Sequence, residues 1–193
     1  MLVLWKEIHH IGIMNKLQQY IQEKLKITSN TKINSKQKPR DKGELNLMIL
    51  KKVMENNSDF TDIDVSEMED LSDLFHSESY KEIDITGWNL KKCKTMQGMF
   101  NECQYLQKII GIDDLDISNV EDLSFIFNDC KNLKDVGDLG KWDVEGKNLA
   151  YAFQDCVKLK DAGDLTKWKL KNPHWSTFSN CSIPLNKRPP KKI

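Results

Sequence analysis

The chain has 193 residues, 29 basic and 29 acidic side chains, and a formal net charge of zero. Its length suits one domain with appendages. Its 39% hydrophobic and 30% charged composition excludes a membrane-embedded protein, and no apolar run approaches the roughly 20 residues of a spanning helix. The zero hides a segregation: residues 1–58 carry net +6, residues 59–182 net −10 and residues 183–193 net +4, so the three segments are expected to have different structural roles.

The first element is an N-terminal helical segment, 1–27. Within it Leu17, Tyr20, Ile21 and Leu25 fall on one helical face. Lys6 and Glu7 interrupt the apolar start, and no basic n-region, long apolar core or small-residue cleavage site is present, so no signal peptide is expected. The true start is either Met1 or Met14. The opening MNKLQQYIQEKLKI (14–27) loosely resembles N-termini common in proteins of tailed bacteriophages of gut bacteria. That resemblance implies a targeting or anchoring helix for a structural or packaged protein of a phage particle. Residues 28–40 are polar, basic and aperiodic, and read as a flexible linker. Asp41 and Glu44 have capping-box spacing. Behind them Leu45, Met48, Ile49 and Val53 share a face, and Asn56 and Asn57 provide a stop. The segment 41–58 is expected to be an N-terminal helical cap that covers the first coil of a repeat array.

The array itself begins near residue 59. Phe75, Phe100, Phe127, Phe153 and Phe178 are spaced by 25, 27, 26 and 25 residues. Cysteine stands three residues after each of the last four: Cys103, Cys130, Cys156 and Cys181. A large apolar residue precedes each phenylalanine by 10 to 12 positions, namely Ile63, Trp88, Leu115, Trp142 and Trp168. In VEDLSFIF (120–127), Val120, Leu123, Ile126 and Phe127 have helical spacing, and Leu133 to Val136 reads as a short strand. The expected fold is an α/β repeat solenoid over 59–182, leucine-rich-repeat-like, with about five coils of short strand plus short helix. The segments ITGWNLKKCKTMQGMFNEC (85–103) and LDISNVEDLSFIFNDC (115–130) resemble the BspA-like family of leucine-rich-repeat surface proteins, whose units read roughly D-I-S-x-W-D-V-S-N-V-T-x-M-x-x-M-F-x-x-C. The resemblance covers about 60–182 and implies a binding or adhesion scaffold with no catalytic centre. The chain departs from that family in lacking its usual secretion signal.

Four regularly spaced cysteines permit three readings: metal ligands, disulfides between neighbouring coils, or a buried ladder of reduced thiols. A line of single cysteines cannot surround a metal ion tetrahedrally, and five is an odd number. Reduced thiols imply a cytoplasmic or virion-associated location. His9 and His10, and likewise His76 and His174, lack a ligand constellation. No nucleophile elbow or phosphate loop is present. The protein is therefore expected to be non-enzymatic, without metal or cofactor, and monomeric. Its candidate protein-binding residues are Lys134, Asp135, Asp138, Lys160, Asp161 and Asp164. The four aspartates could also line calcium sites or simply form a solvated acidic surface. Trp88, Trp142 and Trp168 could be an exposed stacking ladder or packing residues. The residues 183–193 are expected to form a disordered basic tail. Nucleic acid could be contacted only by the basic linker and this tail, because the acidic body repels phosphate.

Overall fold

The computed structural model describes residue 19, residues 36–170 and residues 174–190. Apart from Gln19, the expected 14–27 helix, together with most of the 28–40 linker, His9 and His10 and the last three residues, lies outside the described residues. Among those described, residues 39–57 form one compact unit, and residues 36–38 with those from Ser58 onward form another.

The first unit is built around helix α1, Lys42–Met54. The Asp41 carboxylate accepts a hydrogen bond from the Glu44 backbone N–H at 2.8 Å, satisfying one of the orphan donors of the first turn. The reciprocal half of the expected capping box is diverted. The Glu44 carboxylate accepts instead from the backbone N–H and the Nε of Arg40, both at 2.8 Å. Leu45, Met48 and Ile49 are buried, as their spacing requires. The helix ends as asparagine allows. Asn56 takes a left-handed φ of 50°, while the Asn57 N–H reaches Lys52 O and the Asn56 N–H reaches Val53 O. These are the two bonds of a Schellman motif.

The second unit corrects the expected architecture. In place of about five coils of strand plus helix behind an N-terminal helical cap, it contains two three-residue strands, β1 (Glu82–Asp84) and β2 (Lys108–Ile110), paired in parallel. It also holds one four-residue helix, α2 (His174–Thr177), and short 3-10 turns at Leu139–Lys141 and Leu185–Lys187. The remainder of the described repeats is turns, irregular chain and isolated parallel bridges such as Thr95↔Asp122 and Asp122↔Asn148. The segment 120–127 is not helical, because Phe125 has φ 58°, which a right-handed helix cannot contain. The segment 133–136 supplies only an isolated bridge, Lys108↔Asp135. The 41–58 cap is likewise corrected, since α1 belongs to the separate first unit.

The backbone bonds explain how turns can replace a helix. Alternate N–H groups leave their own repeat: those of Leu123, Phe125, Phe127 and Asp129 donate to the carbonyls of Asn148, Ala150, Ala152 and Gln154, at 2.8 to 3.0 Å. The intervening N–H groups of Ile126, Asn128 and Cys130 close i→i−3 turns on Leu123, Phe125 and Phe127. The same pattern joins Met96, Gly98, Phe100 and Glu102 to Asp122, Ser124, Ile126 and Asn128. Left-handed residues at matching places, Glu102, Asp129, Asp155 and Asn180, keep the alternation going. The ladder thus satisfies a buried backbone without a continuous helix or strand.

Side chains lock the same register. Phe75, Phe100, Phe127, Phe153 and Phe178 are almost completely buried. Successive rings lie 5.4 to 5.9 Å apart, mostly stacked. Each aromatic side chain buries apolar area worth a few kcal/mol, about 2–3 kcal/mol by area. The thiols of Cys103, Cys130 and Cys156 donate to the carbonyls of Phe75, Phe100 and Phe127, one repeat earlier, at 2.8, 3.0 and 3.1 Å. Gly163, with φ 83°, marks the closest approach: a Cβ there would run into the Asp138 carboxyl of the preceding repeat.

Candidate functional site

Aspartate is the turn former of the repeats. Asp59, Asp64, Asp70, Asp84, Asp116, Asp122, Asp135, Asp138, Asp143, Asp161 and Asp164 each accept from the backbone N–H two residues on. This is the Asx turn, which fixes a corner through a local side-chain acceptor. It gives the acidic surplus of 59–182 a structural use: the corners need acceptors. The bonds hold several carboxyls below their ordinary range. Asp116 is lowered chiefly by the Ser118 N–H, Asp135 by the Gly137 N–H, and Asp164 by the Thr166 hydroxyl. Asp161 is lowered first by the Lys187 ammonium and then by the Gly163 N–H.

The six candidate contact residues are all exposed, and each is also tied to the frame or stands beside a residue that is. The Lys134 Nζ donates to Gln107 Oε1 at 3.3 Å, and Asp135 pairs with Lys108 at 3.2 Å. The Asp138 N–H donates to the Asp113 carboxylate at 3.1 Å, and Asp161 pairs with Lys187 at 2.6 Å. Asp164 holds the N–H and hydroxyl of Thr166. Lys160 stands beside Asp161 as an exposed cation. Polar pairs run between repeats elsewhere: Lys92–Glu67, Lys169–Glu145, Lys158–Asn132 and Asn180–Asp155, at separations of 24 to 26 residues. Position in the repeat therefore becomes a column on the surface. Lys147 is the buried member of this class, only 8% exposed, and its ammonium donates to Ser118 O and Val120 O.

The tryptophans pack inward. Trp88, Trp142 and Trp168 are 5–6% exposed, so they offer no external stacking ladder. The Trp88 N–H donates to Phe60 O at 2.9 Å, whereas the buried Nε1 atoms of Trp142 and Trp168 have no hydrogen-bond partner. In this column Leu115 occupies the place that tryptophan holds in the repeats on either side. Beside it opens a cleft of about 350 Å³, lined by 113–118 and by Lys141, Trp142 and Asp143. Leu115 and Ile117 are apolar wall, and Asp113, Asp114, Asp116 and Asp143 form a rim with one cation, Lys141. Lys141 approaches Asp113 at 3.4 Å and Asp114 at 3.6 Å. Sequence reasoning missed this site, although the signal was legible: one leucine in a column of tryptophans, beside two consecutive aspartates.

The five cysteines are free, and four are buried. Burial pushes the Cys93 thiol up to about 11 and the Cys103 thiol up to about 12, and raises Cys130 and Cys156 well above the ordinary range. Among the described residues no group of three His, Cys, Asp or Glu side chains could hold a metal ion. No helix there is long and apolar enough to cross a membrane. His76 lies 3.7 Å from Glu102, far from the cleft in sequence.

The described part of the expected tail, 183–190, folds against the last repeat. Ile183 and Pro189 are buried, and Leu165 N–H donates to Lys187 O, as Leu139 N–H does to Ala162 O one repeat earlier. The Arg188 guanidinium lies 5.2 Å from the Phe178 ring and donates to Cys181 O at 2.6 Å. Its Nε donates to Ile183 O at 2.7 Å. With Lys187 paired to Asp161, both cations are engaged within the chain.

Residues 106–182 match a protein-family model described as "Mycoplasma protein of unknown function, DUF285". No curated protein matches the chain, and no solved structure does. The match spans less than half of the chain and falls wholly within the repeats that carry the cleft, so what it identifies is a repeat region similar to that family.

Proposed function

We propose that the protein is a non-catalytic protein-binding or adhesion scaffold. One observation carries the reading. The chemically capable side chains of the repeats are committed to the frame, aspartates in turns and thiols to backbone carbonyls, while exposed side chains recur in columns at repeat spacing. A surface preformed in this way binds without a large ordering cost. The resemblance of 85–103 and 115–130 to BspA-like surface repeats supports the same class. The reading as a packaged phage protein rests on 14–27, of which only Gln19 is among the described residues, and no structural observation favours it.

Site-specific photocrosslinking in the full chain tests the proposal. A photoreactive residue at position 134 or 160 is expected to capture a protein partner that one placed within 14–27 does not. Capture only through 14–27 would make the repeats a passenger and overturn the reading.

A further inference from the structure

We infer that the cleft between 113–118 and 141–143 receives an arginine side chain of the partner protein. The inference rests on the scaffold reading and assigns its recognition site. Three features of the cleft converge on a guanidinium. The first is space, about 350 Å³ where Leu115 interrupts the column of Trp88, Trp142 and Trp168. The second is the wall of Leu115, Ile117 and Trp142, which suits the aliphatic stem of arginine and stacking of its planar head. The third is charge. Four aspartates stand beside one lysine; Asp143 spends Oδ1 on the Glu145 N–H, leaving Oδ2 for an incoming donor, and Asp116 is held by the N–H and hydroxyl of Ser118. Lys141 pairs with Asp113 and Asp114, and Asp113 also accepts from the Asp138 N–H, so Asp116 and Asp143 are the carboxylates the lysine leaves to a ligand. Trp142 is 5% exposed and lies in the wall, so its indole N–H reports on what the cleft holds. A metal ion is a poorer occupant, since no three ligands converge. Trp168, buried to the same extent but not part of the cleft wall, is the internal control.

The full chain, isotope-labelled, is titrated with an N-acetylated, C-amidated Gly-Arg-Gly peptide, and separately with its neutral citrulline and its lysine counterparts. The arginine peptide is expected to shift the Trp142 indole N–H signal and the amides of Asp114, Asp116 and Asp143 saturably. It should leave the Trp168 indole in place. Citrulline should have no effect, and lysine should bind more weakly. Leu115→Trp restores the column and changes the cleft wall; it is expected to abolish the response while signals of repeats remote from 115 stay in place. Asp116→Asn with Asp143→Asn is expected to weaken binding by about tenfold or more, because hydrogen bonds to a charged group are lost. Equal shifts with citrulline or lysine, or an undiminished response in Leu115→Trp, would overturn the inference. So would silence with every peptide. In that last case partner capture at positions 134 and 160 would still stand, which separates failure of this site from failure of the scaffold reading.

Discussion

Helix α1 and the repeats satisfy their backbones over very different sequence distances. In the unit containing α1, Leu45 N–H finds Asp41 O and Asn57 N–H finds Lys52 O, within four or five residues. In the repeats, Phe127 N–H finds Ala152 O and Cys130 Sγ finds Phe100 O, across 25 and 30 residues. The first kind of structure can be assembled from local propensity and capping. The second forms only when a neighbouring repeat is already in register, because a short segment of it satisfies only the alternate N–H groups that close its own turns. A lesion in the repeats should therefore be shared by its neighbours, and a lesion in α1 should stay local.

The largest break in this contrast is Phe127→Ala. Phe127 is fully buried between Phe100 and Phe153, at 5.9 and 5.4 Å. Its truncation is expected to destabilise the repeats by about 3–5 kcal/mol, measured by denaturant unfolding. Hydrogen exchange should rise in the repeats before and after it and not in 42–54. Lys147→Met comes next. It leaves the carbonyls of Ser118 and Val120 without their ammonium donor and should cost about 1–3 kcal/mol, or less where the freed carbonyls find water. Asp41→Ala removes one N-cap and is expected to cost about 1 kcal/mol, confined to exchange at the start of α1. Lys169→Ala breaks an exposed pair with Glu145, and should change stability by about 0–1 kcal/mol, an effect that salt erases.

Solution pH probes the two halves of the repeat frame separately. The buried thiols have folded pKa values raised above the unfolded value of about 8.5, so their stabilising share is complete below that pH and is lost as pH climbs toward about 12. The turn aspartates 116, 135, 161 and 164 are lowered, so their share is complete above about pH 4 and is lost as pH falls below it. A plateau between these limits is expected in urea unfolding. Thiol-reactive reagents at pH 8 should label the folded protein slowly, and five groups after denaturation. Fast labelling of Cys130 or Cys156 in the folded state would contradict the ladder.

The contrast also explains what could be read in advance. The period of Phe75, Phe100, Phe127, Phe153 and Phe178 was visible because burial demands an apolar residue at every matching position. The backbone between them was not, because Val120, Leu123, Ile126 and Phe127 have helical spacing while Phe125 takes a left-handed φ. Apolar spacing reports which residues are buried, and several backbones can bury the same set. Nor did the acidic count of 59–182 disclose that its aspartates accept turn N–H groups, since net charge does not distinguish a corner from a ligand. The zero net charge of the whole chain conceals this division of labour. Arg188, counted with a basic tail, is spent on Phe178 and the Cys181 and Ile183 carbonyls. The cleft was the least legible feature, because its sign is an exception within a pattern: Leu115 among tryptophans.

The most direct measurement is scalar coupling through hydrogen bonds in the labelled protein. Correlations are expected from the nitrogens of Phe125, Phe127 and Asp129 to the carbonyl carbons of Ala150, Ala152 and Gln154. Correlations from Phe127 nitrogen to Leu123 carbonyl carbon, four residues back, would mean that 120–127 is a helix and would contradict the cross-repeat ladder.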